Sequence, residues 1–324
     1  MLEPHSRIFV AGHTGLVGSA ISRRLNSDGY DNLLARGHDD LDLTDARAVR
    51  EFFQSERPEY VFLAAAKVGG IYANNSYPAE FIQQNLAIQT NVIHEAWQAG
   101  VERLSFLGSS CIYPRDCPQP IKEEYILTGS LEATNRPYAV AKIAGVEMCW
   151  AYNRQYETRF LAAMPTNLYG PGDNFDLETS HVLPALIRKF HAAKTDAKSP
   201  VVVWGTGTPR RELLHVDDVA DACVFLMGLP DERFDSLLTS SSPPLINIGC
   251  GEDLTIRELV QLVKDVVGYQ GEVEWDNSKP DGTPQKLLDS SRLHALGWKT
   301  KTPLTEGIRS TYEWFLDNLE HLRG

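Results

Sequence analysis

The chain is poor in cysteine, in long apolar runs and in positive charge, and each shortage removes a class of protein. Its five cysteines (111, 117, 149, 223 and 250) are odd in number, widely spaced and without a CxxC pair. That pattern fits neither a disulfide framework nor a zinc site, so free thiols and no metal are expected. The longest apolar runs, such as Tyr60 to Ala66, fall well short of the roughly 18 residues that a membrane-spanning helix needs. Met1 to Arg7 carry neither a signal-peptide apolar core nor a transit pattern, which leads to an expected cytoplasmic location. Lys and Arg number 31 against 43 Asp and Glu, a net charge of −12. The long-range field therefore repels nucleic acid and anionic lipid, and an anionic ligand has to be held by local basic residues.

What is present is the composition of a packed protein. Hydrophobic residues make up 43% and charged residues 23%, which excludes disorder and fibrous repeats as the main architecture. The 324 residues allow about two domains of roughly 150 residues, or one large domain with an appendage. Arg7–Gly12, Asn32–Arg36, Tyr60–Ala66, Arg103–Gly108 and Arg159–Met164 read as strands. Between them, Val17–Ser27, Ala46–Ser55, Pro78–Ala99 and Pro137–Tyr156 have helical periodicity. Strand and helix in alternation predict an α/β fold, a doubly wound parallel sheet of Rossmann type covered on both faces.

After Met164 the rhythm gives way to Pro165, Gly170, Pro171 and Gly172, a turn-rich stretch suited to a loop over the C-terminal edge of the sheet, where a site belongs. Val201–Gly205, Val216–Met227 and Leu245–Gly249 read as strand, helix and strand that can return to the main sheet. Helices near Thr255–Val267 and Leu304–Leu319 belong to a smaller lobe. The expected division is residues 1–170 with about 215–249 for a dinucleotide, and about 171–214 with 250–324 for a substrate.

Gly12-His13-Thr14-Gly15-Leu16-Val17-Gly18 follows the first strand and opens a helix. Glycines there permit a tight turn and close approach of backbone to a diphosphate, and the helix start offers N–H groups to it. At the end of the second strand stands Arg36, where NAD-specific sites have an acid for the ribose hydroxyl. Arg36, with His38, suits a 2′-phosphate and so NADP(H). Asp39 and Asp40 offer the acidic alternative if the strand runs a few residues further, and a solvated surface arginine is the plainer reading.

Tyr138 and Lys142 lie four apart and share one helix face. An ammonium near the phenol favours the phenolate and lowers its pKa from about 10, so that the tyrosine exchanges a proton with a sugar oxygen. Ser109, after the strand Arg103–Gly108, is placed to bond the same oxygen. This serine, tyrosine and lysine, in that order behind a phosphate loop, resemble the extended short-chain dehydrogenase/reductase family, over nearly the whole chain. The resemblance implies an NADP(H) enzyme acting on a nucleotide sugar. It also implies cofactor contacts from Gly12 to Gly18, from Leu107, Gly108, Ser109 and Ser110, from Lys142, from Pro165, Thr166, Asn167 and Leu168, and from His181.

Four stretches narrow the resemblance: Leu107 to Pro114, Asn74-Asn75 after Val68 to Ile71, Ser180 to Ala185, and Val203 to Gly207 through Arg211-Glu212. They are similar to the members that invert C3 and C5 of a GDP-4-keto-6-deoxy sugar and then reduce C4 with NADPH. On that resemblance Cys111 is the base and His181 the acid, while Lys189, Trp204, Arg211 and Asp281 face the GDP end. A homodimer through a four-helix interface of Pro78–Ala99 and Pro137–Tyr156 is expected on the same ground. Thr14 departs from an arginine frequent in the family's loop, and Lys189 from an arginine also found there. Without the resemblance Cys111 reads as a buried small hydrophobe, His181 as a capping or surface histidine, and Trp204 as strand packing. A nucleotide-sugar 4-epimerase or 4,6-dehydratase, and a non-catalytic dinucleotide-binding sensor, are the competing readings. The dehydratase needs an acidic pair beside the serine, where this chain has Ser110-Cys111.

Overall fold

Ile8-Phe9-Val10-Ala11 has no polar residue, and all four side chains are buried. A strand with both faces covered must be apolar throughout, whereas a half-exposed one alternates. In the computed structural model, which describes residues 2–177, 179–195, 200–279 and 281–320, Ile8 and Val10 enter one core while Phe9 and Ala11 enter another on the opposite face.

The first half contains β1 (Ile8–Ala11), α1 (Leu16–Ser27), β2 (Leu33–Leu34), α2 (Ala46–Glu56), β3 (Tyr60–Leu63), α3 (Ile71–Ser76), α4 (Pro78–Gln98), β4 (Arg103–Leu107), α5 (Arg136–Tyr156) and β5 (Phe160–Pro165). There follow β6 (Asn167–Tyr169), α6 (Val182–Thr195), β7 (Val201–Trp204), β8 (Arg210–His215), α7 (Val216–Met227), α8 (Asp231–Asp235) and β9 (Leu245–Ile248). The chain continues with β10 (Asp253–Thr255), α9 (Ile256–Val267), β11 (Val273–Asp276), β12 (Gln285–Lys286), α10 (Ser291–Ala295) and α11 (Leu304–Asp317).

The main sheet has the order β2-β1-β3-β4-β5-β9 with every pair parallel. The doubly wound α/β expectation therefore holds. Helices α1 and α7 pack on one face through Ile21, Leu25, Val219 and Cys223. Helices α2, α4 and α5 cover the other through Phe52, Phe53, Val92, Ile93 and Val146. Phe9 lies 4.5 Å from the Phe52 ring and 5.9 Å from Phe53, and burying such a side chain stabilises by roughly 1.5–3 kcal/mol.

Of the later elements, β9 returns to this sheet but β7 does not: it pairs in parallel with β11, in register Val201 to Val273. A third core, including Leu186, Phe190, Val263 and Phe315, binds α6, α9 and α11 together. Beside it β8 pairs with β6, β10 and β12, three short strands of largely polar sequence that hydrophobic patterning did not announce. All five cysteines are free, Cys149 and Cys223 within the packing. Among the described residues no helix is long and apolar enough to cross a membrane.

Candidate active site

The loop from β1 into α1 is closed by steric necessity. Gly12 has φ +83°, and a Cβ there would sit 2.8 Å from the Ala65 backbone. A Cβ on Gly18 would be 2.1 Å from the Gly12 carbonyl oxygen. Helix α1 starts with no side-chain cap and no acid in its first turn, so its first N–H groups face outward to an anion. The buried His13 Nδ1 has no hydrogen-bond partner among the described residues. This cradle fits the diphosphate of a dinucleotide.

Strand β2 ends at Leu34, two residues before Arg36, while Asp39 and Asp40 lie further on in a turn. Arg36 thus follows directly on the strand end, ahead of the two acids. Its Nη2 donates to Glu56 Oε1 at 2.8 Å and its guanidinium lies 5.9 Å from the Phe52 ring.

The next strand end carries the chemistry. From β4 the chain passes Gly108, where a Cβ would fall 1.9 Å from the Met164 methyl, into the extended Ser109, which caps a short 3-10 turn, Ser110–Ile112. The Ser109 Oγ accepts from the Cys111 N–H at 3.3 Å, so one hydroxyl orients the turn that presents the thiol. Tyr138, in the first turns of α5, is in hydrogen-bond contact with Ser109 and packs edge-on against Phe81 at 6.3 Å. Burial pushes the phenol's pKa up, and nearby Cys111 pushes it the same way, against the Ser109 bond that favours phenolate.

The spacing of Tyr138 and Lys142 places the lysine near the phenol with a nicotinamide ribose between them, and no direct bond joins the two side chains. Lys142 Nζ donates to the Leu107 carbonyl at 2.7 Å and lies 5.9 Å from the Tyr138 ring centre, so it is spent on the strand end and not on the phenol. Its own burial lowers it to about 7. Ser110 is buried beside this corner. Pro165 ends β5; Thr166 Oγ1 and, from β6, Asn167 Nδ2 donate to the Glu212 carbonyl at 3.3 and 2.9 Å, with Leu168 half-buried against the core.

The thiol is more crowded than the sequence suggested. Asn135 Nδ2 donates to Cys111 Sγ at 3.2 Å, and Lys286 Nζ approaches the same sulfur at 3.6 Å. His181, immediately before α6, has an exposed side chain; desolvation by the protein around it lowers its pKa, and the Lys286 charge lowers it further. Ser109, Cys111 and Tyr138 therefore lie together, and Lys286, which reaches the sulfur, also acts on His181. Lys286 and Asn135 were missed: one lies in a polar stretch 175 residues away from the cysteine, the other just before a helix start. The only signal was a lysine on a segment that also holds Asp281.

Further out, Lys189 Nζ donates to the Val202 carbonyl at 3.1 Å and lies 5.8 Å from the Trp204 ring, with Lys279 5.4 Å from that ring. Trp204 is 66% exposed, which sets aside the packing reading. Asp281 accepts from Thr206 N and Oγ1 at 2.9 and 2.7 Å. Arg211 Nη1 donates to the Thr283 carbonyl at 2.6 Å, and burial lowers its pKa against the pull of Asp281. The four residues form two adjoining pairs. They are tied to the catalytic corner by buried Glu212, whose carboxylate accepts from Leu288 N at 2.9 Å and Gly251 N at 2.8 Å.

Comparison with known proteins gives the family. GDP-L-fucose synthase 1 of Arabidopsis thaliana is 57% identical over 319 residues, covering 98% of this chain and 96% of the relative. GDP-L-fucose synthase of Escherichia coli is 56% identical over 320 residues, 98% of this chain and 99% of the relative. The solved structure of a GDP-mannoheptose C4 reductase from Campylobacter jejuni with NADP bound superposes with a TM-score of 0.89 at 40% identity, over 98% of this chain and 100% of that one. Residues 8–249 match the model of the NAD dependent epimerase/dehydratase family. With the phosphate cradle, the serine and tyrosine at the strand ends and these relatives in agreement, the chain belongs to the NAD dependent epimerase/dehydratase family.

Proposed function

We propose that the protein converts GDP-4-keto-6-deoxy-D-mannose to GDP-L-fucose, inverting C3 and C5 and then reducing C4 with NADPH. The observation that carries this is a thiol two residues beyond Ser109 and close to Tyr138, in a chain 56–57% identical to GDP-L-fucose synthases. NADP(H) is the cofactor. Gly12 to Gly18 and the start of α1 hold its diphosphate, Arg36 its 2′-phosphate, and the segments at Leu107–Ser110 and Pro165–Leu168, with Lys142, the nicotinamide end. When bound it supplies the hydride for C4.

The chain's own residues do the rest. Both C3–H and C5–H are α to the ketone, so Cys111 removes either proton while Ser109 and Tyr138 hold the developing charge on O4. His181 returns a proton from the opposite face, which inverts the centre. In the reductive step Tyr138 gives its proton to O4, and a phenol pushed up by burial is in the protonated form this requires. Lys189, Trp204, Arg211 and Asp281 position the GDP, and residues 1–170 with about 215–249 bind the cofactor while the remainder forms the sugar lobe. Two copies associate through α4 and α5, the latter exposing Val140 and Tyr156; sedimentation at a dimer mass is the expected result, and a monomer mass would contradict it.

The test is product analysis after incubation with GDP-4-keto-6-deoxy-D-mannose and NADPH. GDP-L-fucose with one NADPH consumed per sugar is expected. A product still in the D series, or no NADPH oxidation, contradicts the proposal.

A further inference from the structure

We infer that Lys286 and Asn135 hold the Cys111 side chain as a thiolate, making them the positioning residues of the proton-abstracting base. The inference rests on the epimerase reading of Cys111 and adds what makes a thiol serve as a base. Only the thiolate can accept a proton from carbon, and a free cysteine is mostly protonated at neutral pH. A cation and an amide N–H aimed at sulfur are what favour the anion.

Both donors are present and reach the sulfur from different elements. Asn135 stands at the start of α5, at 3.2 Å; Lys286 comes from β12, at 3.6 Å. Neither arrives by chance. The Asn135 backbone N–H is fixed on Glu132 Oε2 at 3.2 Å. Strand β12 pairs with β8 in the register Lys286 to Arg211, and Leu288, two residues on, is bound to the buried Glu212. The titratable groups about Cys111 are Tyr138 from α5 and Lys286 from β12, with Arg115 and Glu132 along the adjoining wall; Lys286 in turn acts on His181. Lys286 also acts on Cys117.

One cation then poises both halves of the inversion. The C–H bond breaks with its electron pair passing to O4 and its proton to Sγ, which leaves a neutral thiol beside Lys286. The His181 N–H bond breaks as its proton goes to the other face of the carbon. The positive charge that favours the thiolate also makes the protonated imidazole a stronger acid, and solvent exchange resets the pair.

The experiment is iodoacetamide alkylation of the full-length protein without substrate, followed as a function of pH by mass analysis of the Cys111 peptide, with the partly exposed Cys250, on which Lys286 does not act, as an internal reference. Lys286→Met is expected to slow Cys111 alkylation about tenfold or more near neutral pH and to move its profile to higher pH, since an opposite charge within about 4–6 Å is worth one to three pH units. Lys286→Arg, which keeps the charge, restores the profile, and this rescue also answers any loss of folding in the methionine variant. Asn135→Ala shifts the profile in the same direction by less. If Lys286→Met raises the substrate KM but leaves the Cys111 profile where it was, the lysine serves the diphosphate alone and the inference is overturned. Failure of the epimerase reading looks different: Cys111→Ala then retains deuterium exchange into the sugar whatever the Lys286 variants do.

Discussion

The Lys142 ammonium is bound to the carbonyl of Leu107 at 2.7 Å, 5.9 Å from the centre of the Tyr138 ring. The lysine therefore fixes the end of β4 where Ser109 begins, and its effect on the phenol is indirect. Burial among Phe106, Leu107 and Tyr138 brings it to about 7, so above neutral pH it is largely an uncharged amine in the free protein.

An anionic dinucleotide bound beside Lys142 favours the ammonium. NADPH binding at about pH 8 is therefore expected to take up close to one proton, and less as the pH falls through 7. Calorimetry in buffers of different ionisation enthalpy measures this. The uptake disappears in Lys142→Met; an equal uptake in that variant would assign it to another group.

Tyr138→Phe keeps the ring that packs on Phe81 and removes the proton donor. NADPH oxidation should fall by about 10² to 10⁴, the usual worth of general acid catalysis, with NADPH affinity preserved. Stopped-flow oxidation and fluorescence titration separate the two. A rate within about threefold of the parent removes Tyr138 from the donor role.

Arg36 is paired with Glu56 at 2.8 Å, so part of its charge is neutralised until a stronger anion arrives. Arg36→Ala should raise the KM for NADPH by about tenfold and leave that for NADH nearly unchanged, while Glu56→Gln lowers the NADPH value. Parallel changes for both cofactors would place Arg36 away from the 2′-phosphate.

Asp173 is buried, and its Oδ2 has no hydrogen-bond partner among the described residues. Burial raises its carboxyl to about 7 from 3.8. The folded state thus holds this proton more tightly than the unfolded chain, and stability is lost as pH rises from about 4 towards 7 and stays lower above it. Asp173→Asn, which cannot ionise, should be more stable than the parent by about 4 kcal/mol near pH 8, with the gain gone near pH 4. Thermal melts at the two pH values check the sign.

The fold was legible where burial made whole strands apolar: β1, β3 and β5 are continuous apolar runs, and β4 interrupts its run only with Arg103 and Ser105. The short strands of the sugar lobe were not, because Arg210-Arg211-Glu212, Asp253-Leu254-Thr255 and Gln285-Lys286 show no apolar alternation. They are stabilised by ladder bonds and by one buried carboxylate, Glu212, and such bonds leave no periodic trace. The same reason hid Lys286. Ser109, Tyr138 and His181 could be found from motifs, but the cation that faces two of the site's residues sits on a two-residue strand placed by the rest of the lobe.

Deuterium incorporation without NADPH tests the central claim, a base and an acid acting at the ketone independently of reduction. In heavy water the protein should place deuterium at both C3 and C5 of GDP-4-keto-6-deoxy-D-mannose, read by proton NMR. Cys111→Ala should abolish it, and His181→Ala should allow exchange with retention but no inversion. Wild-type exchange rates in Cys111→Ala contradict the account.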